Sequence, residues 1–285
     1  MAGRGDRNAI VACVSGSPDC DRAVDWSGRW AARTGRPLTL LHAAAGVDGD
    51  LGVGVDAARR LLDITAERVA HEHPGLQLSL VVEVGDPRAV IVDQARRASV
   101  VVVGSHRGDA RRRLHGSLGP VVARDAICPV VVVGESPPQG PLARRVVVGV
   151  DGTAASRPAT EFAFEYGATT NLPVVLLHCS WERLARGSAV LALLSRGEEH
   201  GPTRDEELSV AEVIAGLPGR YPDVETRIRH RSSDPAAALV EASQTAHLVV
   251  VGVRRHHPVV VRLHRPVSSV VADRAHCPVA LVNAS

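Results

Sequence analysis

Lysine is absent from this chain: all 33 of its basic residues are arginine. That excludes a lysine Schiff base, a lysine general base and a phosphate loop of the G-x-x-x-x-G-K-[ST] kind. Aromatic residues are scarce, at 2% of the chain, and there is one methionine. Any core must therefore be built from Val, Leu, Ala and Ile. No apolar run approaches the roughly 18 residues that would cross a bilayer; the longest valine runs are 100–103 and 130–133. The opening stretch MAGRGDRNAIVACVSG lacks a sustained apolar segment and a small-residue cleavage site, so no signal peptide is expected. The five cysteines are odd in number, scattered and without a C-x-x-C pair. Neither a disulfide framework nor a zinc site is supported, and buried thiols in a reducing cytoplasm are expected. With 31 acidic residues the formal net charge is only +2, which argues against wholesale coating of nucleic acid.

What is present is enough apolar material for two cores: 45% hydrophobic against 22% charged over 285 residues. The chain also repeats itself. Shifted by 136, residues 10–42 fall on 146–178 with ten of 33 positions identical, and Trp26 and Trp30 fall on Phe162 and Tyr166. A shift of 148 matches nine of 20 positions from Gly85 to Gly104, and a shift of 149 matches eight of 13 from Val121 to Val133. Three blocks in one order mean two copies of one domain, with a period far beyond that of solenoid repeats. The expected boundaries are 1–135 and 145–285, joined by a stiff Pro/Gly connector at 136–144.

Each copy alternates short valine-rich runs with helix-length amphipathic stretches. In the first, strands are expected at 8–15, 38–43, 77–83, 100–104 and 130–133, and helices at 19–34, 53–73, 87–97 and 117–125. Strands apolar on consecutive residues are buried on both faces, which points to a parallel sheet between helix layers. The expectation is an α/β protein of two tandem doubly wound domains, each with five strands. In such a sheet ligands bind beyond the carboxyl ends of the strands, where strand order reverses. The residues to inspect there are Ser15-Gly16-Ser17 and Asp151-Gly152-Thr153 after each first strand. After each fourth strand come GSHRGDARRRLHGS, from Gly104 to Ser117, and GVRRHHPVVVRLHRPVS, from Gly252 to Ser268.

These residues resemble the universal stress protein family in a tandem two-domain form. The carriers are VVVGVDGT, GDP, VVVGSHRG, HGS followed by AICPVVVV, and in the second copy SDPAAALVEAS and AHCPVALV. The resemblance implies an adenine nucleotide α-hydrolase-like fold with strand order 3-2-1-4-5, and ATP, with magnesium where it accompanies the phosphates, as the ligand. It implies an acid after the first strand for the nucleoside and G-x2-G-x9-G-[ST] after the fourth for the phosphates. The chemistry agrees, since glycines let backbone N–H groups and a helix N-terminus reach phosphate oxygens.

Both copies depart from that pattern. The first keeps Gly104, Gly108, Gly116 and Ser117, spaced G-x3-G-x7-G-S, but carries Ser15 in place of the acid. The second keeps Asp151 and Gly252, with Arg255 for the second glycine and Arg265-Pro266 for the closing pair; Pro266 has no N–H to donate. Copy one, with Arg107, Arg111, Arg112, Arg113 and His106 crowding its glycine loop, is the better candidate. The resemblance also implies that last strands pair two domains edge to edge, here as a pseudo-dimer within the chain or as a homodimer.

Other features have plain structural readings. Asp86-Pro87 and Asp234-Pro235 suit helix starts better than catalytic carboxylates. His42 and His178 end the second strands, and a structural role is favoured there over a base contact. Cys128-Pro129 and Cys277-Pro278 read as buried thiols before a last strand. His256, His257 and His264 lack metal-site spacing, and the arginine runs lack the interleaved aromatics of a nucleic-acid platform. An ATP-hydrolysing or nucleotidyl-transferring enzyme would need a metal-binding carboxylate; Asp109 is the only acid in the first loop, so at most slow hydrolysis is expected. The expectation is a cytoplasmic, nucleotide-binding stress regulator. The alternative is a nucleotide-free interaction scaffold of the same family.

Overall fold

The computed structural model describes residues 8–44, 51–105, 118–134, 144–180, 203–254 and 265–284. The chain divides into two compact units, Met1–Glu135 and Ser136–Ser285.

In unit 1 the elements are β1 (Ile10–Cys13), α1 (Pro18–Thr34), β2 (Leu38–Ala44), α2 (Leu51–Glu72), β3 (Leu78–Val84), α3 (Pro87–Gln94), β4 (Val100–Gly104), α4 (Leu118–Asp125) and β5 (Val130–Val133). All strand pairs are parallel, in the order β3-β2-β1-β4-β5, so the expected fold and strand order hold. β1, β4 and β5 are buried along their whole length, as consecutive apolar residues dictate. Element boundaries moved by only a few residues. α3 stops at Gln94 rather than running to residue 97, because the following N–H groups bond three residues back, Arg96 to Asp93 and Arg97 to Gln94, and tighten the last turn.

The first helix shows why sequence dictates these limits. Ser17 caps α1 by accepting from the Cys20 N–H, Pro18 opens the first turn, and Gly35 closes the helix in a left-handed conformation (φ 64°) with its N–H on the Ala31 carbonyl. Cys20, Ala23, Val24, Ser27, Trp30 and Ala31 form its buried stripe. Trp26 and Trp30 meet edge to face with centroids 5.2 Å apart, one of the few aromatic anchors in a core of aliphatic chains.

Unit 2 repeats the plan: β6 (Val146–Val150), a 3-10 turn at Ala154–Ser156, α5 (Arg157–Thr170), β7 (Val174–Cys179), α6 (Arg204–Ile214), the single turn α7 (Leu217–Arg220), β8 (Thr226–Arg231), α8 (Pro235–Ser243), β9 (Leu248–Val253), α9 (Val267–Arg274) and β10 (Val279–Asn283). Its strands are parallel in the order β8-β7-β6-β9-β10, the same arrangement as unit 1. Phe162 and Tyr166 take the place of the tryptophans on α5, with centroids 6.4 Å apart. The Asp-Pro pairs are helix caps in both units: Asp86 accepts from Ala89 N–H at 3.0 Å and Asp234 from Ala237 N–H at 2.7 Å.

Candidate functional site

In each unit the first strand lies between the second and the fourth, so strand order reverses at its carboxyl end. The residues that gather at that point differ between the units.

In unit 1 the chain leaves β1 through Val14 and Ser15, then turns at Gly16, whose φ of +72° suits glycine. The Ser15 hydroxyl bonds the Cys20 thiol at 3.0 Å and lies 3.1 Å from the Ser17 hydroxyl. An acid does stand at the switch point, although not at position 15. Asp19, in the first turn of α1, reaches the end of β4, where the Ser105 hydroxyl donates to its Oδ2 at 3.4 Å. Its Oδ1 pairs with Arg22, whose Nε donates in turn to the Gly134 carbonyl at 3.2 Å beyond β5. Asp19 is only 14% exposed at its side chain. The sequence hides this residue, because Ser-Pro-Asp reads as a helix cap with a first-turn acid; only the strand order brings it opposite Ser105.

Gly104 serves packing. A Cβ there would lie 2.7 Å from the Asp19 carbonyl carbon and from the Cys20 nitrogen, both backbone atoms of α1. Its bare α-carbon is what lets the helix N-terminus sit on the end of β4. Gly108, Gly116 and Ser117, with the arginines between them, lie outside the described residues.

In unit 2 Asp151 follows β6 as expected, and both oxygens of its carboxylate have partners. Oδ1 accepts from the Thr153 N–H at 2.9 Å, the Thr153 hydroxyl at 2.7 Å and the Ser156 hydroxyl at 2.7 Å. Oδ2 pairs with Arg254, just beyond β9. Burial raises the carboxyl's proton affinity, but the Ser156 and Thr153 hydrogen bonds and the Arg254 charge outweigh it, and its pKa sits below the usual value. Gly252 faces open space by comparison: a Cβ would meet only the Ala155 carbonyl oxygen, at 3.8 Å. Arg255 lies outside the described residues, and of the two replacements at the end of that stretch the structure describes Arg265, paired with Asp273, and Pro266.

The strand-end histidines are structural in both units. His42 Nδ1 lies 2.8 Å from the Val14 carbonyl, and His178 Nδ1 3.1 Å from the Val150 carbonyl. A carbonyl only accepts, so each ring carries its proton on Nδ1 and ties the second strand to the first. In unit 2 the His178 ring also meets His230 edge on at 5.5 Å. Burial and then the neighbouring His178 hold His230 below its usual pKa, against the pull of Glu206 and Glu207. Glu206 itself completes a capping box, taking the Thr203 N–H at 2.8 Å.

Among the described residues no three His, Cys, Asp or Glu side chains are grouped to hold a metal ion, and no helix is long and apolar enough to cross a membrane. All five cysteines are free, four of them buried.

The sequence model of the universal stress protein family matches residues 7–134 and again 143–283. Among curated proteins, the universal stress protein Rv2005c of Mycobacterium tuberculosis is 30% identical over 299 residues, covering 98% of both chains. Universal stress protein Rv2623 of the same organism is 33% identical over 301 residues, covering 97% of this chain and 96% of its own. A crystal structure of a universal stress protein from Archaeoglobus fulgidus superposes with a TM-score of 0.73 at 20% identity, covering 98% of this chain and 97% of its own. With both halves matched and full-length relatives sharing about a third of its residues, the chain belongs to the universal stress protein family, as a tandem pair of its domains.

Proposed function

We propose that the protein is a cytoplasmic stress-responsive regulator that binds an adenine nucleotide, ATP with its magnesium, in unit 1, while unit 2 serves as a structural partner. The observation that carries this reading is the contrast between the two acids. Asp151 spends both oxygens on its own loop and on Arg254. Asp19 Oδ2 carries a single long bond, from the Ser105 hydroxyl, among the described residues. A carboxylate so placed accepts from ribose hydroxyls or a purine amino group, and Ser15 and Ser17 add two hydroxyls beside it. Gly108, Gly116 and Ser117 would supply backbone donors to the phosphates, with Arg107, Arg111, Arg112 and Arg113 as counter-charge.

The second reading, a scaffold that binds no nucleotide, is favoured for unit 2 because Asp151 is held by its own loop and by Arg254. The free, mostly buried thiols support a reducing compartment. The pseudo-dimer implied by the family belongs to the same proposal: an elongated, two-bead monomer in sedimentation would remove it.

The test is mass spectrometry of any nucleotide released from freshly purified, denatured protein, with calorimetric titration of ATP into wild type, Gly116→Arg, Asp19→Asn and Asp151→Ala. Micromolar binding abolished by Gly116→Arg, weakened about tenfold by Asp19→Asn and kept by Asp151→Ala is the expected pattern. Loss with Asp151→Ala alone would move the site to unit 2. No released nucleotide and no heat at millimolar ATP would leave the scaffold reading. A parallel phosphate-release assay should give no turnover beyond slow hydrolysis.

A further inference from the structure

The duplication supplies an internal comparison at the outer strands. β3 and β8 hold the same place, each hydrogen-bonded, among the described residues, to one neighbouring strand only. β8 is Thr-Arg-Ile-Arg-His-Arg, a charged edge of the kind that resists pairing. β3 is Leu-Ser-Leu-Val-Val-Glu-Val, with Leu80 43% and Val84 50% exposed. β8 exposes Ile228 to a similar degree, 42%, but sets it between Arg227 and Arg229, whereas β3 carries a single charge, Glu83.

The backbone of β3 shows which groups are available. Gly85 N–H bonds the Ala44 carbonyl and Leu38 N–H bonds the Gln77 carbonyl, so the odd-numbered residues of this strand point their N–H and C=O groups at β2. Those of Leu78, Leu80, Val82 and Val84 therefore point outward. From this we infer that β3 is a self-association edge, and that its partner is β3 of a second copy of this chain, running antiparallel about a two-fold axis at Val81.

That register sets Leu78 opposite Val84 and Leu80 opposite Val82, the outward-facing residues, each pair exchanging two N–H···O bonds. The same four positions lie on one face of the strand, so every directly opposed pair there is apolar. On the other face Val81 meets Val81, and the single charge, Glu83, meets Ser79, a hydroxyl donor, rather than its own copy. Glu83 already takes one bond from Gln94 at 2.6 Å and has acceptor capacity left. The corresponding pairing of β8 with itself is unfavourable. Val174 N–H and Ser180 N–H bond the Glu225 and Arg231 carbonyls, so the even positions face out. A dyad at Ile228 then puts Arg227 against Arg229, and one at Arg229 puts Arg227 against Arg231 and Arg229 against itself. Complementarity to itself is thus a property of β3 that β8 lacks, and an isologous contact closes at two copies. The inference does not rest on the nucleotide reading.

Sedimentation velocity from about 1 to 200 µM tests it, on full-length wild type, on Leu80→Arg/Val84→Arg, which copies the β8 protection, and on Val82→Pro. Proline at Val82 removes an outward N–H and leaves the β2 ladder whole, so it stays informative should the double variant misfold. A reversible monomer–dimer equilibrium in wild type, weakened roughly tenfold or more in each folded variant, is expected. A wild type that stays monomeric at the highest concentration would assign the edge to another occupant and overturn the inference. A dimer that persists unchanged in both variants would place the contact elsewhere.

Discussion

Gly104 ends the fourth strand of unit 1 and Gly252 is the last but one residue of the fourth strand of unit 2, and alanine at each tests whether the family's glycine is held there by packing. At Gly104 the added methyl would lie 2.7 Å from two backbone atoms of α1. Backbone atoms at a helix N-terminus cannot swing aside, so α1 must translate by several tenths of an ångström or β4 must bend. Forcing a methyl into such a space costs about 1–3 kcal/mol. Replacing glycine in a strand returns about 0.5–1 kcal/mol of unfolded-state entropy. The net expectation for Gly104→Ala is a loss of about 1–2 kcal/mol in unit 1. At Gly252 the methyl meets one carbonyl oxygen at an ordinary 3.8 Å, so only the entropic part applies and Gly252→Ala leaves unit 2 unchanged or slightly more stable. Because a two-unit chain need not unfold in one step, the assay is hydrogen exchange read by mass spectrometry, with peptides from β1 and β4 scored apart from those of β6 and β9. Tryptophan fluorescence in urea adds an independent readout, since two of the three tryptophans lie on α1. Equal stability of Gly104→Ala and wild type, or equal loss at both glycines, would refute the reasoning. Reduced ATP binding without any loss of exchange protection would assign Gly104 to a ligand instead.

Two further predictions concern titratable groups. Asp151→Asn should cost unit 2 about 1 kcal/mol at neutral pH, a figure kept low because the side chain is 44% exposed. The folded-state carboxyl is held below 3.8, so its contribution is complete above that pH and lost as pH falls through the folded value. The stability gap between wild type and variant, measured by urea unfolding, should therefore close below about pH 3.8 and stay constant from pH 5 to 7. In the native protein a chromogenic disulfide reagent at pH 8 should label Cys179 first, being the one cysteine not fully buried. Burial pushes Cys128 up to about 12 and raises Cys13 as well, so both should react only after denaturant is added. Fast labelling of Cys128 in folded protein would contradict its placement.

The fold was legible because its signals are local or doubled. Valine runs, Asp-Pro caps and the Ser17 to Gly35 bracket of α1 act within a few residues. The internal repeat gives each strand a second witness, which is why β2, β4 and β5 were located to within a residue. Burial of the edge was not legible. Leu-Ser-Leu-Val-Val-Glu-Val falls under the same expectation of burial on both faces as the other strands, whereas in the structure Leu80 and Val84 are exposed. The site was legible in part. Ser15, Asp151, Gly104 and Gly252 fall where the strand ends were expected, but Asp19 did not stand out, because its meeting with Ser105 spans 86 residues of chain. A spacing rule built on one acid after the first strand has no means to register an acid supplied from the next turn of helix.

The two units hold their acids at different places beside the first strand. In unit 2 the acid stays at the end of the first strand, and Arg254, in the same unit, neutralises it. In unit 1 the acid sits four residues further on, and Arg22 on the same helix takes one oxygen of Asp19 and leaves the other beside Ser105. The glycines follow the same logic. Unit 1 needs Gly104 because the backbone of the first turn of α1 lies against the end of β4. In unit 2 the corresponding first turn is a 3-10 segment without an acid, and Gly252 has room to spare. Asp19 and the backbone that crowds Gly104 belong to the same first turn of α1, so substitutions at Gly104 and Asp19 should both act on unit 1 and leave unit 2 untouched.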